Sequence, residues 1–369
     1  MTPDTFARDG IELRPWAMDD LDDLIDACND PDIARWLPLI PSPYTDEAGR
    51  WWVEEGAPQA WRQGGAAFCI VFPGTRKVLG GIGINTVQPG RNQAEVGYWI
   101  APWARGQGVA TRATRAISRW AFESGFHRLE LLAAKENWAS QRVAMAAGFT
   151  REGVRREGGP TRDGGRQDLV CFVRLATDPD RPIARILPDL PGGHLTDGIV
   201  RLRPLRTDDV DDYVALNRLP EVIDTSFGPL ITPEVAWERA AWVQNNWLAG
   251  DRAECVIEDA VTGAFAGSIG LYYKDQPLSE AMIGYSLHPE FRGKGIATRS
   301  VNLLCRWAFE NVGIARIIAG TFPENRASQR VLERAGFTRE GYLKAALPGR
   351  NGARIDDIRF VRLNPNLGG

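Results

Sequence analysis

Short apolar runs and helical patterns follow one another in the same order in both halves of the chain. Apolar runs bounded by glycine, proline or polar turns predict β-strands. After the third run of each half, apolar residues recur at helical spacing, as at Ala297, Val301 and Leu304. Mixed strands and helices of this kind predict an α/β (α+β) three-layer fold. The predicted strands cover 68–72, 78–84, 94–100, 129–134 and 169–175, then 255–258, 264–271, 281–287, 317–321 and 358–363.

The two halves also repeat one another residue by residue. Residues 136–153 read ENWASQRVAMAAGFTREG, and residues 324–341 read ENRASQRVLERAGFTREG, at an offset of 188. The segment RGQGVATR starting at Arg105 likewise matches RGKGIATR starting at Arg292. A repeat of this length is far above the 20–50 residues of solenoid units, so each copy is the size of a domain.

A duplicated domain fits the length of 369 residues, which exceeds one ordinary hydrophobic core. We predict a first domain over 1–176 and a second over 198–369. Between them, 177–197 contains four prolines that disfavour a regular helix or central strand, so we interpret it as a semi-rigid linker.

Composition limits the classes of partner. The 44 basic and 47 acidic residues give a net charge of −3, which argues against a nucleic-acid or membrane partner. No apolar run is long enough for a transmembrane helix, and the first residues do not read as a secretory signal, so we expect a cytoplasmic location. The histidines His127, His194 and His288 lie far apart, and we expect neither a metal site nor a histidine-dependent triad.

A glycine-rich segment stands between a predicted strand and a predicted helix in each half. Glycine there lets the backbone approach an anion, and the helix N-terminus presents free N–H groups. For a single GxG, a tight turn without a ligand would be the favoured interpretation. Two copies in the same context favour a phosphate-bearing ligand.

Several motifs together resemble the GNAT superfamily of N-acetyltransferases, and in particular the branch that acetylates ribosomal-protein N-termini. The resemblance covers nearly all of both halves, and its motifs occur in order, twice. They are Arg105-x-x-Gly108-x-Ala110 and Arg292-x-x-Gly295-x-Ala297, Gly97-Tyr98-Trp99 and Gly284-Tyr285, Asn137-x-x-Ser140 and Asn325-x-x-Ser328, and Ala147-Gly148-Phe149 and Ala335-Gly336-Phe337.

The resemblance implies two tandem domains, each with a central mixed, mostly antiparallel sheet and helices on both faces. It also implies acetyl-CoA as co-substrate, with its pyrophosphate on the glycine-loop amides and its pantetheine arm in a cleft where two strands splay. The acceptor amine would attack the thioester directly, without a metal. The implied cofactor-binding residues are Ile100, Arg105, Gly106, Gln107, Gly108, Val109, Ala110, Thr111 and Asn137, then Leu287, Arg292, Gly293, Lys294, Gly295, Ile296, Ala297, Thr298 and Asn325.

The resemblance also implies catalytic positions. Glu95 stands where family members often carry a glutamate that takes the proton of the attacking amine, although a solvated strand carboxylate is an equal alternative. The second half has Met282 there, and Glu280 is the nearest substitute. Ser140 and Ser328 would donate a hydrogen bond to the leaving sulfur. For Asn137 and Asn325 the alternative is helix capping.

The main hypothesis is an acetyl-CoA-dependent N-acetyltransferase that modifies a primary amine of a small molecule, peptide or protein N-terminus. One alternative has one catalytic half and one degenerate acyl-CoA-binding module, and another is an acyl-CoA sensor without activity. The two homologous halves are also expected to pair as an intramolecular pseudo-dimer.

Overall fold

A computed structural model describes residues 2–226, 229–349 and 352–366 of the chain. The chain divides into two units, Met1–Ala184 and Arg185–Gly369. This division falls inside the proline-rich segment 177–197. The N–H of Ile183 donates to the carbonyl of Met145 in the first unit, whereas Leu187 and Leu190 are buried in the core of the second. The segment therefore packs against the units that it joins.

The first unit contains eight strands and six α-helices among the described residues, and one stretch, Trp52–Gly56, is π-helical. In chain order the elements are β1 (Phe6–Arg8), β2 (Ile11–Arg14), α1 (Leu21–Cys28), α2 (Pro31–Trp36), α3 (Asp46–Trp51), α4 (Ala57–Arg62), β3 (Ala66–Val71), β4 (Gly80–Gln88), β5 (Gln93–Ile100), α5 (Val109–Glu123), β6 (Arg128–Ala134), α6 (Trp138–Ala146), β7 (Thr150–Pro160) and β8 (Arg166–Leu175).

The second unit repeats this series, with one long helix in place of α3 and α4. Its elements are β9 (Leu195–Thr196), β10 (Val200–Pro204), α7 (Val210–Asn217), α8 (Pro220–Asp224), α9 (Pro233–Ala249), β11 (Arg252–Asp259), β12 (Phe265–Asp275), β13 (Glu280–Leu287), α10 (Ile296–Trp307), β14 (Arg316–Thr321), α11 (Arg326–Arg334), β15 (Thr338–Pro348) and β16 (Arg354–Leu363).

Each unit has one eight-stranded sheet with the same strand order, β1-β2-β3-β4-β5-β6-β8-β7 and β9-β10-β11-β12-β13-β14-β16-β15. Only the β5–β6 and β13–β14 pairs are parallel among the described strands. Helices cover both faces: in β3, Cys69 packs in a cluster with Leu24 of α1, whereas the neighbouring Phe68 meets Trp120 of α5, edge to face at 5.2 Å. The mixed, mostly antiparallel three-layer fold is confirmed.

The strands predicted from apolar runs are all present, with ends shifted by a few residues. The helices α6 and α11 end just before Gly148 and Gly336, which have φ of +87° and +78°, as is common after a helix C-terminus. The short strands β1 and β9 and the long edge strands β7 and β15 were not predicted. Most residues of the two edge strands are exposed, so they have no apolar pattern to reveal them.

In the part of the chain that the structure describes, no helix combines the length and apolar character needed to cross a membrane.

Candidate functional site

A cleft opens in each sheet where its two parallel strands separate. In the first domain the pairing of β5 with β6 ends at Glu95 and Glu130, although β5 continues to Ile100 and β6 to Ala134. In the second domain the pairing of β13 with β14 ends at Met282 and Ile318. Next to each gap, the neighbouring strand changes register, in β4 and in β12. The geometry agrees with the splay that the resemblance implies.

The glycine loop lies at the open end of each cleft. Gly106 and Gly108 have φ of +73° and +72°, and Gly108 is the N-cap of α5. Gly293 and Gly295 repeat this conformation at +75° and +79° before α10. The first-turn amides of a helix have no intrahelical acceptor, and they carry the positive end of the helix dipole. Each loop therefore forms a backbone cradle for an anion.

The other predicted loop residues divide into anchors and exposed positions. Val109 and Ile296 are buried and fix the start of α5 and α10 in the core, so only their backbone faces the cradle. Gln107 donates to the carbonyl of Trp103 at 2.9 Å, and the ammonium of Lys294 lies 5.8 Å from the Phe291 ring centroid. The remaining predicted positions line the start of the helix or the end of the preceding strand: Ile100, Ala110, Thr111, Leu287, Ala297 and Thr298.

The loop arginines Arg105 and Arg292 contact groups of their own domains. The Arg105 guanidinium contacts Asp30 at 2.5 Å and Asp32 at 3.1 Å, and it lowers the pKa of the Asp30 carboxyl against the opposing effect of burial. The Arg292 guanidinium bonds to the carbonyl of Leu287 and to Glu221 at 2.9 Å. Both arginines therefore stabilise the conformation of the glycine loop in their domain. A direct contact with phosphate stays a prediction.

A basic cavity adjoins the loop of the second domain. It has a volume of about 430 Å³, begins at Gly295 and is lined by Arg299, Arg306 and Arg334. Arg299 is paired with Asp197 at 2.8 Å. The sequence analysis did not single out these arginines, although Arg299 and Arg306 lie two helical turns apart on one face of α10. A cavity of this charge suits a phosphorylated ligand.

A serine hydroxyl faces a tyrosine hydroxyl across the cleft of the first domain. Asn137 caps α6 by accepting from the N–H of Ser140 at 3.1 Å, so the capping role is confirmed and ligand contact stays a prediction. The hydroxyl of Tyr98 in β5 donates to Ser140 Oγ at 3.0 Å. Burial raises the pKa of Tyr98 to about 12, so its proton is retained at neutral pH. Because Ser140 accepts from Tyr98, its own proton can point to a third group.

The second domain repeats this arrangement. Asn325 accepts from the N–H of Ser328 at 3.0 Å, and the Tyr285 and Ser328 hydroxyl oxygens lie 2.9 Å apart. Burial also raises the pKa of Tyr285 to about 12. The sequence analysis used both tyrosines as motif residues but gave them no role. The presence of a tyrosine at the same position of both halves, in GYW and in GYS, could have indicated a functional role.

Glu95 lies at the closed end of the first cleft, in a pocket of about 410 Å³ that Thr86, Arg128, Glu130 and Arg155 also line. Burial and the nearby Glu130 carboxylate raise the pKa of Glu95, while the Arg155 guanidinium opposes them. Arg155 itself bonds to Glu130. A carboxylate with a raised pKa is a better proton acceptor for an amine, so the placement suits a general base.

The second domain lacks this carboxylate. Met282 occupies the register position of Glu95 and is 37% exposed. Glu280, the predicted substitute, is held by Arg316 with a Nε–Oε2 distance of 2.5 Å. It stands at the start of β13, two residues before the point where the strands separate. Its role as a base stays a prediction.

The chain is similar in sequence to several known proteins. The family model described as an acetyltransferase (GNAT) domain matches residues 11–150 and 200–338. "Probable N-acetyltransferase YjcK" of Bacillus subtilis is 42% identical over 24% of this chain and 49% of that protein. The ribosomal-protein-serine acetyltransferase of Escherichia coli is 28% identical over 27% of this chain and 55% of its own length. The solved structure of Mycobacterium smegmatis RimJ with CoA-disulfide is 26% identical, covers 48% of this chain and 88% of that one, and has a TM-score of 0.42.

The chain spans about half the length of the curated relatives it matches. The family model, in contrast, covers more than half of this chain and matches it twice, once in each unit. The chain therefore belongs to the GNAT acetyltransferase family and carries two copies of its domain.

Proposed function

We propose that the chain is an acetyl-CoA-dependent N-acetyltransferase in which each domain binds acetyl-CoA and transfers the acetyl group to a primary amine. The observation that carries the proposal is the paired arrangement of glycine loop, splayed strands and Tyr–Ser contact in both domains. Acetyl-CoA supplies the activated acetyl group as a thioester. The acceptor is a small molecule, a peptide or a protein N-terminus, and the names of the curated relatives that act on ribosomal proteins support the last of these.

Binding would use the loop at the open end of each cleft. The amides from Gly106 to Thr111, and from Gly293 to Thr298, suit the pyrophosphate, because they offer several donors and a helix dipole at one point. The gap between β5 and β6 leaves strand edges without partners, which suits the amide groups of a pantetheine arm. The arginine-lined cavity of the second domain suits a further phosphate.

Transfer would proceed in one displacement. Glu95 takes a proton from the ammonium, and the amine nitrogen then bonds to the thioester carbon as the carbon–sulfur bond breaks. Ser140, held by Tyr98, donates a hydrogen bond to the departing sulfur. The sulfur takes up the second proton of the attacking amine and leaves as the thiol, so that amine and thioester give amide and thiol.

A second candidate function has specific support. The second domain keeps Ser328, Tyr285 and the loop but has Met282 where Glu95 would be, and a thioether cannot accept a proton. One catalytic domain and one acyl-CoA-binding module would produce this difference.

The test is calorimetric titration of acetyl-CoA into the wild type and into Gly108→Trp and Gly295→Trp, which fill one cradle each. We expect two sites in the wild type and one in each variant. Gly125→Trp and Gly313→Trp are matched controls, because these glycines also have positive φ, +97° and +80°, and open space around them, but lie beyond the other ends of α5 and α10. The controls should retain both sites.

Absence of binding by the wild type would overturn the proposal. If only one of the two loop variants loses all acetyl-CoA binding, then only the domain that carries that substitution binds acetyl-CoA. Release of CoA with an amine acceptor, measured in each one-site variant, then separates the two candidates: transfer by both supports the main proposal, and transfer by one supports the second.

A further inference from the structure

Tyr272 covers part of the cleft floor in the second domain. It is the register partner of Met282, the residue that stands where the first domain has Glu95. Its ring lies over Gly270 and Gly284, since a Cβ atom at these glycines would lie 3.4 and 4.0 Å from its ring atom Cε2. Gly284 follows the point where β13 separates from β14. The tyrosine therefore lies beside the position at which the proposed transfer takes place.

Tyr272 belongs to a cluster of polar and charged side chains that runs from the sheet to the helices α7 and α9. Arg252 Nη2 donates to the Tyr272 hydroxyl and to Glu254 Oε1, both at 2.9 Å. Arg239 Nε of α9 lies 3.1 Å from the same Glu254 oxygen, and Arg239 Nη1 donates to the hydroxyl of Tyr213 in α7 at 2.6 Å. These five residues form the arginine cluster.

Positive charge exceeds negative charge in the arginine cluster, because its two arginines share one carboxylate, that of buried Glu254. The side chains of Arg239 and Arg252 remain 27% and 18% exposed. The Nε–H of Arg252 has no acceptor in the described part of the chain. Two partly exposed guanidinium groups that one buried carboxylate holds in place suit a further carboxylate, because guanidinium donors match the geometry of that group.

The first domain has different residues at the matching positions. Asn85 is the register partner of Glu95, so it holds the position of Tyr272. Ala67 holds the position of Glu254 in the third strand of the sheet, and it packs in an apolar cluster. The first domain therefore lacks the carboxylate that anchors the two arginines, and the subsite formed by the arginine cluster would be specific to the second domain.

The other side of the cleft carries a carboxylate whose charge is balanced. Asp357 lies over Gly320 of β14, where a Cβ atom would lie 2.6 Å from Asp357 Oδ1, and it pairs with Arg359 at 3.1 Å. Its Oδ1 is buried and has no hydrogen-bond partner among the residues that the structure describes, so it can accept from an N–H of an acceptor. An acceptor across the floor would thus meet guanidinium groups on one side and a carboxylate oxygen on the other.

We infer that the arginine cluster forms a subsite for a carboxylate of the acceptor, so that the second domain acetylates amines that carry a nearby anionic group. The inference rests on the proposed acetyl transfer and names an acceptor class for one of the two domains. The first domain disfavours such acceptors, because Glu95 and Glu130 stand at the same point of its floor and repel a carboxylate. Met282 fits this assignment, since a glutamate at that position would repel the acceptor in the second domain as well.

The experiment compares acceptors that differ in one carboxylate. Leucine is paired with leucine amide, and γ-aminobutyrate with its amide, so that a short and a longer separation of amine and carboxylate are both covered. The ratio of kcat/KM, carboxylate over amide, is measured in Gly108→Trp, where the second domain works, and in Gly295→Trp, where the first works. For at least one pair we expect a ratio about tenfold higher in the second domain, the effect of roughly one charge-assisted hydrogen bond. Comparing the two domains cancels the effect of the carboxylate on the pKa of the amine.

Arg252→Gln, added to Gly108→Trp, removes one guanidinium charge and should lower the ratio about fivefold. Tyr272→Phe keeps that guanidinium and removes one hydrogen bond that positions it, so we expect a smaller decrease, of about twofold to threefold. Arg201→Gln is the matched control, because Arg201 also lies near a glutamate of β11, Glu258 at 3.7 Å, but stands in β10, which does not border the cleft. It should leave the ratio unchanged.

Acetyl-CoA binding is measured first on the same proteins, and its absence would overturn the proposed function itself. If acetyl-CoA binds but both acceptor pairs give equal ratios in the two domains, or the second domain transfers to none of the acceptors, this inference is overturned and acetyl-CoA binding stands. A higher ratio in the second domain that neither Arg252→Gln nor Tyr272→Phe lowers would also contradict it. An equal decrease in Arg201→Gln would trace the preference to general surface charge and not to the arginine cluster.

Discussion

The two domains are alike at the open end of the cleft and different at its closed end. At the open end both have a glycine cradle with the same backbone conformation and a Tyr–Ser contact of 3.0 and 2.9 Å. At the closed end Glu95 faces charged neighbours in one domain, and Met282 lies beside Ile318 in the other. The fold therefore holds its splay without the glutamate, which shows that this carboxylate is not needed to build the cleft.

The largest expected effect is that of replacing Glu95, the proposed general base of the first domain. Glu95→Gln keeps the shape of the side chain but removes the proton acceptor, so acetylation by the first domain should fall by about 10²–10⁴-fold, the usual contribution of a general base. CoA release by Gly295→Trp with and without Glu95→Gln measures it. The same substitution in Gly108→Trp, where only the second domain works, should change nothing. A loss there would show that the domains do not act separately.

The pH dependence sharpens the same contrast. A general base works when deprotonated, so kcat/KM of the first domain should fall as the pH drops through the pKa of Glu95. Burial and Glu130 raise this pKa, so the limb should lie above the range of an ordinary carboxyl group. The second domain should lack it and follow the protonation of the acceptor alone. A shared acidic limb would contradict this difference.

Stability offers a second contrast, at the start of each domain. Leu13-Arg14-Pro15 of the first domain recurs as Leu202-Arg203-Pro204 in the second. Arg14 pairs with buried Asp20 at 2.6 and 2.7 Å, and this ion pair raises the pKa of Arg14. Arg203 pairs with Asp209 in the same way but also bonds to Glu258 at 2.6 Å. Asp20→Ala leaves a partly buried guanidinium without a carboxylate and should cost about 3 kcal/mol.

Asp209→Ala should cost less, about 1–2 kcal/mol, because Glu258 still balances the charge. Amide hydrogen exchange read separately in β2–β3 and in β10–β11 measures the two free energies of opening. Equal losses would show that Glu258 contributes nothing to the pair.

The sequence predicts the strands that form buried apolar runs. It does not predict strands with exposed side chains, or ion pairs between residues far apart in the chain. The duplication, the strands from β3 to β6 and the glycine loops follow from the printed residues. The strands β7 and β15 do not, because an exposed edge strand needs no apolar alternation. The bracing of the loop by Arg105 depends on Asp30, 75 residues away, and no local pattern encodes such a pair.

The two domains also differ at the place where the 3′-phosphate of CoA is expected to bind. The second domain offers Arg306 and Arg334 in its basic cavity. In the first domain the position of Arg306 is held by Arg119, which is paired with Asp180 at 2.5 Å and with Asp9. Dephospho-CoA, which lacks the 3′-phosphate, should therefore lose about tenfold in affinity for the second domain, roughly one charge-assisted hydrogen bond, and less for the first. Calorimetry on the two one-site variants measures this, and Arg306→Ala with Arg334→Ala should remove the difference.

The smallest expected effect concerns what the domains share. Tyr98→Phe and Tyr285→Phe each remove one hydrogen bond to the serine, so kcat should fall by about threefold to tenfold in the matching domain, with little change in KM. Ser140→Ala and Ser328→Ala should lower kcat further, and adding the tyrosine change to them should then have no effect, because the tyrosine acts through the serine. Full additivity would contradict this positioning role. If kcat falls in one domain only, the two domains differ in function at the open end as well, although their geometry there is the same.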